Sequence, residues 1–397
     1  MGHIQHASVA ISLLAAFCGL AAAQEKIKIG FITDMASSYA DADGKNGALA
    51  IQMAIDDFGG KVLGKPIELL TADHQQKADV AVSKARDWID NQGLTMLVGG
   101  TNSSVALALA KLAADKKRVY MVNGAGTSLL TNEQCSPYTV HYAYDTVALA
   151  KGTAGAIVDQ GGKDWFFLTV DYAFGTAMEK DAAKVIEAKG GRVLGSVRHP
   201  INAADFSSFL LQAQNSKAKI LALANGGGDT INSVKAAKEF GIDKTMKMAA
   251  MMIFITDIQG LGLKTAEGLM FTTSWYWDLN EQTRAFGRKF FAKTKRMPSD
   301  LQAADYSSVM TYLKAVQAAQ TTDADAVMAK IKSTPVNDFY GQGRVRPDGR
   351  FAHDMYLMQV KAPAESKEPW DYFKLLGKLP PEQVWTTKAE SKCALWQ

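Results

Sequence analysis

Short apolar segments alternate with amphipathic helical patterns along most of this chain, and this alternation leaves few fold classes open. Strands are predicted, among others, at Ile67–Asp73, Val119–Asn123 and Ile220–Ala224, each a nearly continuous apolar run typical of strands covered on both faces. Helices such as Lys45–Phe58 and Gly175–Lys189 lie between strands and are followed by glycines suited to a helix C-cap. The pattern predicts βαβ units and an α/β fold built on a doubly wound parallel sheet.

The pattern changes after Trp275. Helical patterns then follow one another at Glu281–Lys293, Leu301–Ala319 and Asp323–Ile331, before a strand-like run at Phe351–Val360. No Pro- or Ser-rich linker divides the chain, although its length suffices for two domains. We therefore expect two domains that exchange segments through several crossings, which produces a hinge and a cleft.

The amino terminus resembles an export signal. Val9–Leu20 is an apolar run of twelve residues, shorter than the roughly twenty that span a bilayer. Leu20-Ala-Ala-Ala23 then supplies the small residues of a cleavage site. We predict that residues 1–23 are a cleaved signal peptide and that the mature protein is periplasmic. No later run approaches the length of a span, so no stable membrane insertion is expected.

The cysteines and the net charge indicate whether a disulfide is present and whether the protein binds nucleic acid. Cys135 and Cys393 remain after cleavage, and in an oxidising compartment such a pair is a disulfide candidate that would tie the tail to the body. Two free buried thiols are the alternative. The net charge of +4, from 44 basic and 40 acidic residues, shows no clustered basic face, so no nucleic-acid partner is expected.

Three polar loops follow predicted strands at the sheet edge where α/β proteins bind ligands. Residues 34–44 follow the first strand and offer the hydroxyl and ring of Tyr39. Residues 99–104 and 123–128 follow two later strands and present hydroxyls and backbone N–H groups at a helix start or turn. Such groups hold carboxylates. If the strands are neighbours, the loops converge and form a small-anion or carboxylate site; ordinary helix caps and solvated loops are the alternative.

Aromatic residues follow two further strands, in Asp171-Tyr-Ala-Phe-Gly175 and Ser274-Trp-Tyr-Trp277. They are consistent with a stacking cleft or with ordinary core packing. The four histidines of the mature chain are scattered, without metal-ligand spacing, and the sequence has no nucleophile elbow. The sequence therefore predicts no metal, no cofactor and no enzymatic activity. These histidines are His74, His141, His199 and His353.

Several segments resemble a known family. They are Asn46-Gly-Ala48, Asp56-Asp-Phe-Gly-Gly60, Gly99-Gly100, Ala125-Gly-Thr127, Asp171-Tyr-Ala-Phe-Gly175 and Ala266-Glu-Gly-Leu269. With them the chain resembles a type I periplasmic binding protein of the branched-chain amino acid (Leu/Ile/Val) class, the receptor of an ABC importer. The resemblance implies two Rossmann-like lobes, each a parallel-rich sheet flanked by helices, joined by three crossovers near Thr146, Ser274 and Ala352. It predicts an N-terminal lobe of residues 24–146 plus 275–352 and a C-terminal lobe of residues 147–274 plus 353–397.

The resemblance also implies a ligand class. Family members hold the ligand carboxylate at positions that match Asn102, Ser103, Gly126 and Thr127. Amino-acid receptors clamp the ammonium with an acidic residue, and Met251 lies at the roughly corresponding position here. A ligand without an α-amino group is expected, such as a benzoate or cinnamate derivative, because a buried unpaired ammonium is costly. The residues predicted to surround it are Tyr39, Tyr172, Trp275 and Met251, with Asn225 and Tyr144 as polar contacts.

The implied mechanism is capture of the ligand by hinge closure, by a monomer that then meets a membrane permease. Three alternatives remain open. A branched-chain amino acid or amide receptor would have the same fold. A secreted α/β hydrolase would need a nucleophile and a base. A sensor ectodomain would have to dock onto a separate receptor.

Overall fold

Residues 25–397 are described by a computed structural model, so the predicted signal peptide lies outside the described residues. The strands are β1 (Ile27–Thr33), β2 (Lys61–Val62), β3 (Lys65–Asp73), β4 (Leu94–Gly99), β5 (Val119–Val122), β6 (Thr139–His141), β7 (Asp164–Val170), β8 (Arg192–His199), β9 (Ile220–Ala224), β10 (Lys247–Ala250), β11 (Met270–Thr273), β12 (Val336–Asn337), β13 (Gln342–Val345), β14 (Phe351–Ala352), β15 (Met355–Val360) and β16 (Phe373–Leu379).

Helices cover the faces of the sheets. They are α1 (Gly44–Asp57), α2 (Ala78–Gln92), α3 (Ser103–Asp115), α4 (Thr146–Leu149), α5 (Gly155–Asp159), α6 (Ala173–Ala188), α7 (Ser207–Asn215), α8 (Gly228–Glu239), α9 (Ile255–Leu261), α10 (Leu263–Ala266), α11 (Glu281–Thr294), α12 (Asp300–Ala319), α13 (Ala324–Ser333) and α14 (Pro381–Val384). A π-helical segment, Ala150–Ala154, joins α4 to α5. Between residues 25 and 397, no helix is both long and apolar enough to cross a membrane.

Two mixed sheets form the centres of two lobes. The first sheet has the order β2-β3-β1-β4-β5-β6, and the second has the order β16-β15-β11-β10-β9-β7-β8. Pairing is parallel except at β2 and at the edge formed by β15 and β16. The central strands are buried on both faces, as the continuous apolar runs predicted. The predicted α/β class is confirmed.

The chain crosses between the sheets three times. It passes from β6 to β7 through α4 and α5, leaves the second sheet after β11, and returns to it at β15. The prediction of one strand over Phe351–Val360 is wrong, because the chain changes sheets within it. β14 pairs with β13 in a small antiparallel sheet, whereas β15 pairs with β11. The apolar pattern continues across the break because both halves are buried.

A buried carboxyl pair lies where α1 packs on α12 in the first lobe. The Thr33 hydroxyl donates to Asp43, and the Asn123 amide donates to one Asp305 oxygen at 2.7 Å. Within the described chain, the remaining oxygens Oδ1 of Asp43 and Oδ2 of Asp305 have no other partner. Both lie close to Gly47, where a Cβ would meet them at 2.3 and 2.6 Å. Burial raises the pKa of both carboxyl groups, so the pair shares a hydrogen.

The carboxyl-terminal tail returns from the second lobe to the first. Cys135, which precedes β6, is disulfide-bonded to Cys393 with a Cα–Cα distance of 5.7 Å. Lys392 forms an exposed ion pair of 3.3 Å with Glu133 beside this bridge. The predicted disulfide is confirmed, and the free-thiol alternative is wrong.

Candidate functional site

The lobes meet at a cleft formed by the loops that follow the strands. The hydroxyls of Tyr39 in the first lobe and Tyr172 in the second lie 2.8 Å apart. The Gly228 N–H donates to the Ser38 carbonyl across the cleft at 3.1 Å. The Ser38 hydroxyl also donates to Asn202. These contacts join one lobe to the other at the mouth of the cleft.

Tyr39 is held in place by a capping carboxylate at the end of β1. Asp34 accepts hydrogen bonds from the backbone of Ser37 at 2.8 Å and of Tyr39 at 2.9 Å. The Gln76 side chain also donates to Asp34, at 2.6 Å. Burial opposes ionisation of Asp34, but the hydrogen bonds from Ser37 and from the backbone lower its pKa. This network fixes the loop, and Tyr39 itself is almost fully buried.

The first predicted anchor residue, Asn102, is a helix cap. Its side-chain oxygen accepts the backbone N–H groups of Ser104 at 2.9 Å and Val105 at 3.2 Å. Its amide donates to Gln76 at 2.8 Å. The side chain is therefore engaged as the cap of α3 and holds the start of the helix, where Ser103 follows.

Ser103 and Thr127 form a pair of hydroxyls with unused hydrogens. The Ser103 hydroxyl accepts the backbone N–H of Thr127 at 3.2 Å, and the Thr127 hydroxyl accepts that of Leu129 at 3.4 Å. In the described part of the chain, neither hydroxyl donates its own hydrogen to a protein group. Both side chains are buried. Ser103 also opens α3, so its N–H has no partner within the helix. This pair can therefore donate to an anion, and a carboxylate supplies only acceptors.

The aromatic rings of Phe174 and Tyr144 pack against the loop that contains Thr127. A Cβ on Gly126 would lie 2.9 Å from the Phe174 ring and 3.2 Å from the Tyr144 ring, so glycine allows both rings to approach the backbone. The Tyr144 ring lies 6.5 Å from that of Phe254, and its hydroxyl donates to the Gly124 carbonyl at 3.0 Å. Phe174 and Phe254 were not predicted as site residues, although the motif around Tyr172 contains Phe174.

A methionine lies on the second-lobe side of Tyr39. A Cβ on Gly226 would meet the terminal carbon of Met252 at 2.0 Å and the Tyr39 ring at 3.1 Å. Met251, the predicted residue, is buried, and its N–H donates to the Leu223 carbonyl at 3.2 Å. The structure thus places Met252, the next residue, beside Tyr39, because Met251 continues the sheet pairing.

Asn225 and Trp275, both predicted to contact the ligand, form hydrogen bonds to other protein groups. The Asn225 side chain bonds to His199 at 3.1 Å and accepts from Thr230 at 2.8 Å, both in the second lobe. The Trp275 indole donates to the Phe339 carbonyl at 3.1 Å and packs against that ring. The hydrogen bonds of both side chains thus go to groups other than Tyr39 and Tyr172 within the described residues, and their role as ligand contacts stays a prediction.

The acidic residues at the cleft are engaged as caps. Asp229 accepts the N–H groups of Asn202 and Ala203, each at 3.1 Å, and Asp257 accepts that of Phe254 at 2.9 Å. Burial raises the pKa of Asp229 to about 6 and that of Asp257 to about 7. Both carboxyls therefore already accept backbone N–H groups, and burial makes the ionised form of each more costly.

A histidine–hydroxyl pair at the same edge is not arranged for nucleophilic catalysis. His74 Nδ1 accepts the Gln76 N–H at 3.0 Å, so the ring hydrogen is on Nε2 and points at the Thr101 hydroxyl, 3.1 Å away. Burial lowers the pKa of His74 to about 4. In this tautomer His74 donates to Thr101 and cannot remove its proton. The hydrolase alternative gains no support from this pair.

Comparison with known proteins shows where this architecture occurs. The sequence pattern of a family described as periplasmic binding protein matches residues 26–367. A Burkholderia mallei periplasmic binding protein of known structure is 64% identical, with a TM-score of 0.93 over 94% of this chain and 100% of its own.

Two further solved structures are similar to this chain. A branched-chain amino acid ABC transporter periplasmic ligand-binding protein from Burkholderia xenovorans LB400 is 39% identical, with a TM-score of 0.83 over 94% of this chain and 100% of its own. A Rhodopseudomonas palustris BisB5 ABC-transporter solute-binding protein in complex with 3,4-dihydroxybenzoic acid is 23% identical, with a TM-score of 0.82 over 90% of this chain and 98% of its own. With the family pattern covering most of its length, the chain belongs to the periplasmic binding protein family.

Proposed function

We propose that this protein captures a small aromatic monocarboxylate between its lobes and presents it, in the periplasm, to the permease of an ABC importer. The ligand class is a benzoate or cinnamate derivative. Binding occurs without turnover, metal or cofactor, in a monomer from which residues 1–23 have been removed. The proposed lobes are residues 24–146 plus 275–352 and residues 147–274 plus 353–397, with the tail of the second lobe bonded to the first at Cys135.

The observation that carries this proposal is the hydroxyl pair beside an aromatic wall. Ser103 and Thr127 have two buried donors without protein acceptors, and Phe174 and Tyr144 close over the adjoining Gly126. A carboxylate satisfies the two donors, and we propose that the flat apolar body of the ligand packs against the rings. Charge-assisted hydrogen bonds of this kind are stronger than neutral ones.

The two acidic side chains at the cleft are already engaged, which favours an acid over an amino acid. Asp229 and Asp257 already accept backbone N–H groups, and burial raises the pKa of each. Met252 and Tyr39 supply an apolar and a weakly polar surface on the opposite side. Burying a charged ammonium against this lining would cost at least several kcal/mol.

The related structures keep one alternative open. The R. palustris protein binds a dihydroxybenzoic acid, which agrees with an aromatic ligand on this fold. The B. xenovorans protein belongs to a branched-chain amino acid transporter and is more similar in sequence. A branched-chain amino acid or amide receptor is therefore the second candidate.

A thermal-shift screen separates the two candidates. The mature protein is unfolded, dialysed and refolded to remove retained ligand, then melted with benzoate, 4-hydroxybenzoate, cinnamate, leucine, isoleucine or valine. A ligand that binds the native state raises the melting temperature. Shifts with aromatic acids alone are expected; a shift with leucine and none with aromatic acids would replace this proposal by the amino-acid receptor.

The anchor is tested in the same assay. Thr127→Ala should weaken binding of the active acid by at least about 1 kcal/mol, roughly fivefold or more in Kd, because one donor to the carboxylate is lost. Thr245→Ala is the control, since that hydroxyl donates to the Ile242 carbonyl within the second lobe. Equal affinity in both variants would remove Thr127 from the site.

A further inference from the structure

One carboxylate oxygen on the hinge side of the molecule joins both lobes and a crossover. The Ser128 hydroxyl, in the first lobe, donates to Asp181 Oδ2 at 2.8 Å. The Thr146 hydroxyl, where the first crossover begins, donates to the same oxygen at 2.6 Å. Asp181 is carried by α6 of the second lobe. The contact with Ser128 therefore joins residues of different lobes.

Thr146 also forms hydrogen bonds with the anchor loop, residues 124–131, which carries Thr127 and Ser128. The Thr146 N–H donates to the Gly126 carbonyl at 2.8 Å, and the Ser128 N–H donates to the Thr146 hydroxyl at 3.2 Å. The residues on both sides of Thr127 are thus held to the crossover. These two hydrogen bonds connect the backbone beside Thr127 to the Thr146 backbone and hydroxyl.

Helix α6 touches this loop at two points. Phe174, in its first turn, lies against Gly126, and Asp181 follows two turns later on the same face. Beyond Asp181 a groove of about 990 Å³ opens between the lobes, lined in part by Ser128 and Asp181. The Asp181 carboxylate therefore lies at the edge of this groove, where it forms a polar contact between the lobes.

We propose that Asp181 is a positioning residue that couples closure of the lobes to the geometry of the anchor loop. When α6 approaches the first lobe, Asp181 accepts a hydrogen bond from the Ser128 hydroxyl. This hydrogen bond holds Thr127 in the position from which its hydroxyl donates to the ligand. When the lobes separate, that hydrogen bond breaks while the one to Thr146 remains. This inference rests on the proposed function only where it concerns the bound acid; the coupling itself belongs to the protein.

A cross-linked protein tests the coupling without any ligand. A Cβ on Gly228 would lie 3.9 Å from that of Ser38, within the spacing of about 3.5–4.5 Å found in disulfides. The pair Ser38→Cys and Gly228→Cys therefore locks the cleft shut. In this background, hydrogen exchange of residues 124–131 is compared for Asp181→Ala, Asp181→Asn and Asp159→Ala.

Faster exchange of the Ser128 amide is expected in Asp181→Ala, by about tenfold, which corresponds to about 1.4 kcal/mol. Asp181→Asn retains an acceptor oxygen and should restore most of the protection. Asp159→Ala is the matched control, because that exposed carboxylate of the same groove pairs with Lys189 inside the second lobe at 2.8 Å. Equal exchange in Asp181→Ala and Asp159→Ala would overturn the proposal.

Binding kinetics without the cross-link provide the second readout. For benzoate, Asp181→Ala should dissociate about tenfold faster with little change in association rate, because the contact forms only after encounter. A merely structural defect would lower the melting temperature and leave the dissociation rate at the Asp159→Ala value, which overturns the proposal. If the unsubstituted protein does not bind benzoate, the proposed ligand fails while the exchange experiment still decides the coupling.

Discussion

Removal of the Cys135–Cys393 bridge should lower the free energy of unfolding by about 5–6 kcal/mol. The bridge joins cysteines 258 residues apart in sequence. In the loop-entropy relation, closing a loop of this length in the unfolded chain corresponds to about 5.6 kcal/mol at 25 °C. For a chain of this size that loss shifts the melting temperature by about 7 °C. The double variant Cys135→Ser, Cys393→Ser is used because single variants leave a free thiol.

Guanidinium unfolding, followed by tryptophan fluorescence, measures the difference under identical oxidising conditions. Lys392→Ala is the control, because it removes only the exposed ion pair with Glu133 and should cost at most about 1 kcal/mol. A loss below about 1 kcal/mol in the double serine variant would refute the reasoning. The unfolded chain would then be no more restricted with the bridge than without it.

Two further perturbations test the cleft and the buried carboxyl pair. Gly227→Ala should abolish lobe closure and weaken ligand binding at least about tenfold, because φ is +58° and a Cβ would lie 2.1 Å from the Ser38 carbonyl oxygen. Normal affinity in a calorimetric titration would contradict this close approach of Gly227 to Ser38. Burial raises the pKa of Asp43 and Asp305, so their shared hydrogen stabilises the fold at low pH. This stabilisation should be lost as the pH rises from about 4 through the pKa values of the folded state. In Asp305→Asn, unfolding free energies measured between about pH 4 and 8 should fall less steeply than in the parent, and an unchanged slope would exclude the pair as its source.

Local sequence pattern was sufficient for the fold because the central strands of both sheets are buried on both faces. Ile220–Ala224 was predicted with the bounds that the structure gives. Phe351–Val360 was not, since a change of sheet at His353 leaves the apolar pattern intact. β16 was missed because its residues at the sheet edge are mostly exposed.

The candidate site was predictable only where it follows strand ends. Ser103 and Thr127 lie in contact because β4 and β5 are neighbours, as the order of their loops suggested. The direction of the Trp275 indole depends on Phe339, which is distant in sequence. The choice between Met251 and Met252 depends on where β10 ends, and local pattern does not fix a strand end to one residue.

The position of the carboxyl terminus has a practical consequence for reporters of ligand binding. The last strand of the chain, β16, belongs to the second sheet, but the tail beyond it is covalently attached to the first lobe at Cys135. A fluorophore fused after Gln397 would therefore travel with the first lobe, opposite to what the preceding strand suggests. A distance sensor built on this scaffold needs its second dye on the other lobe, for example at the exposed Phe240.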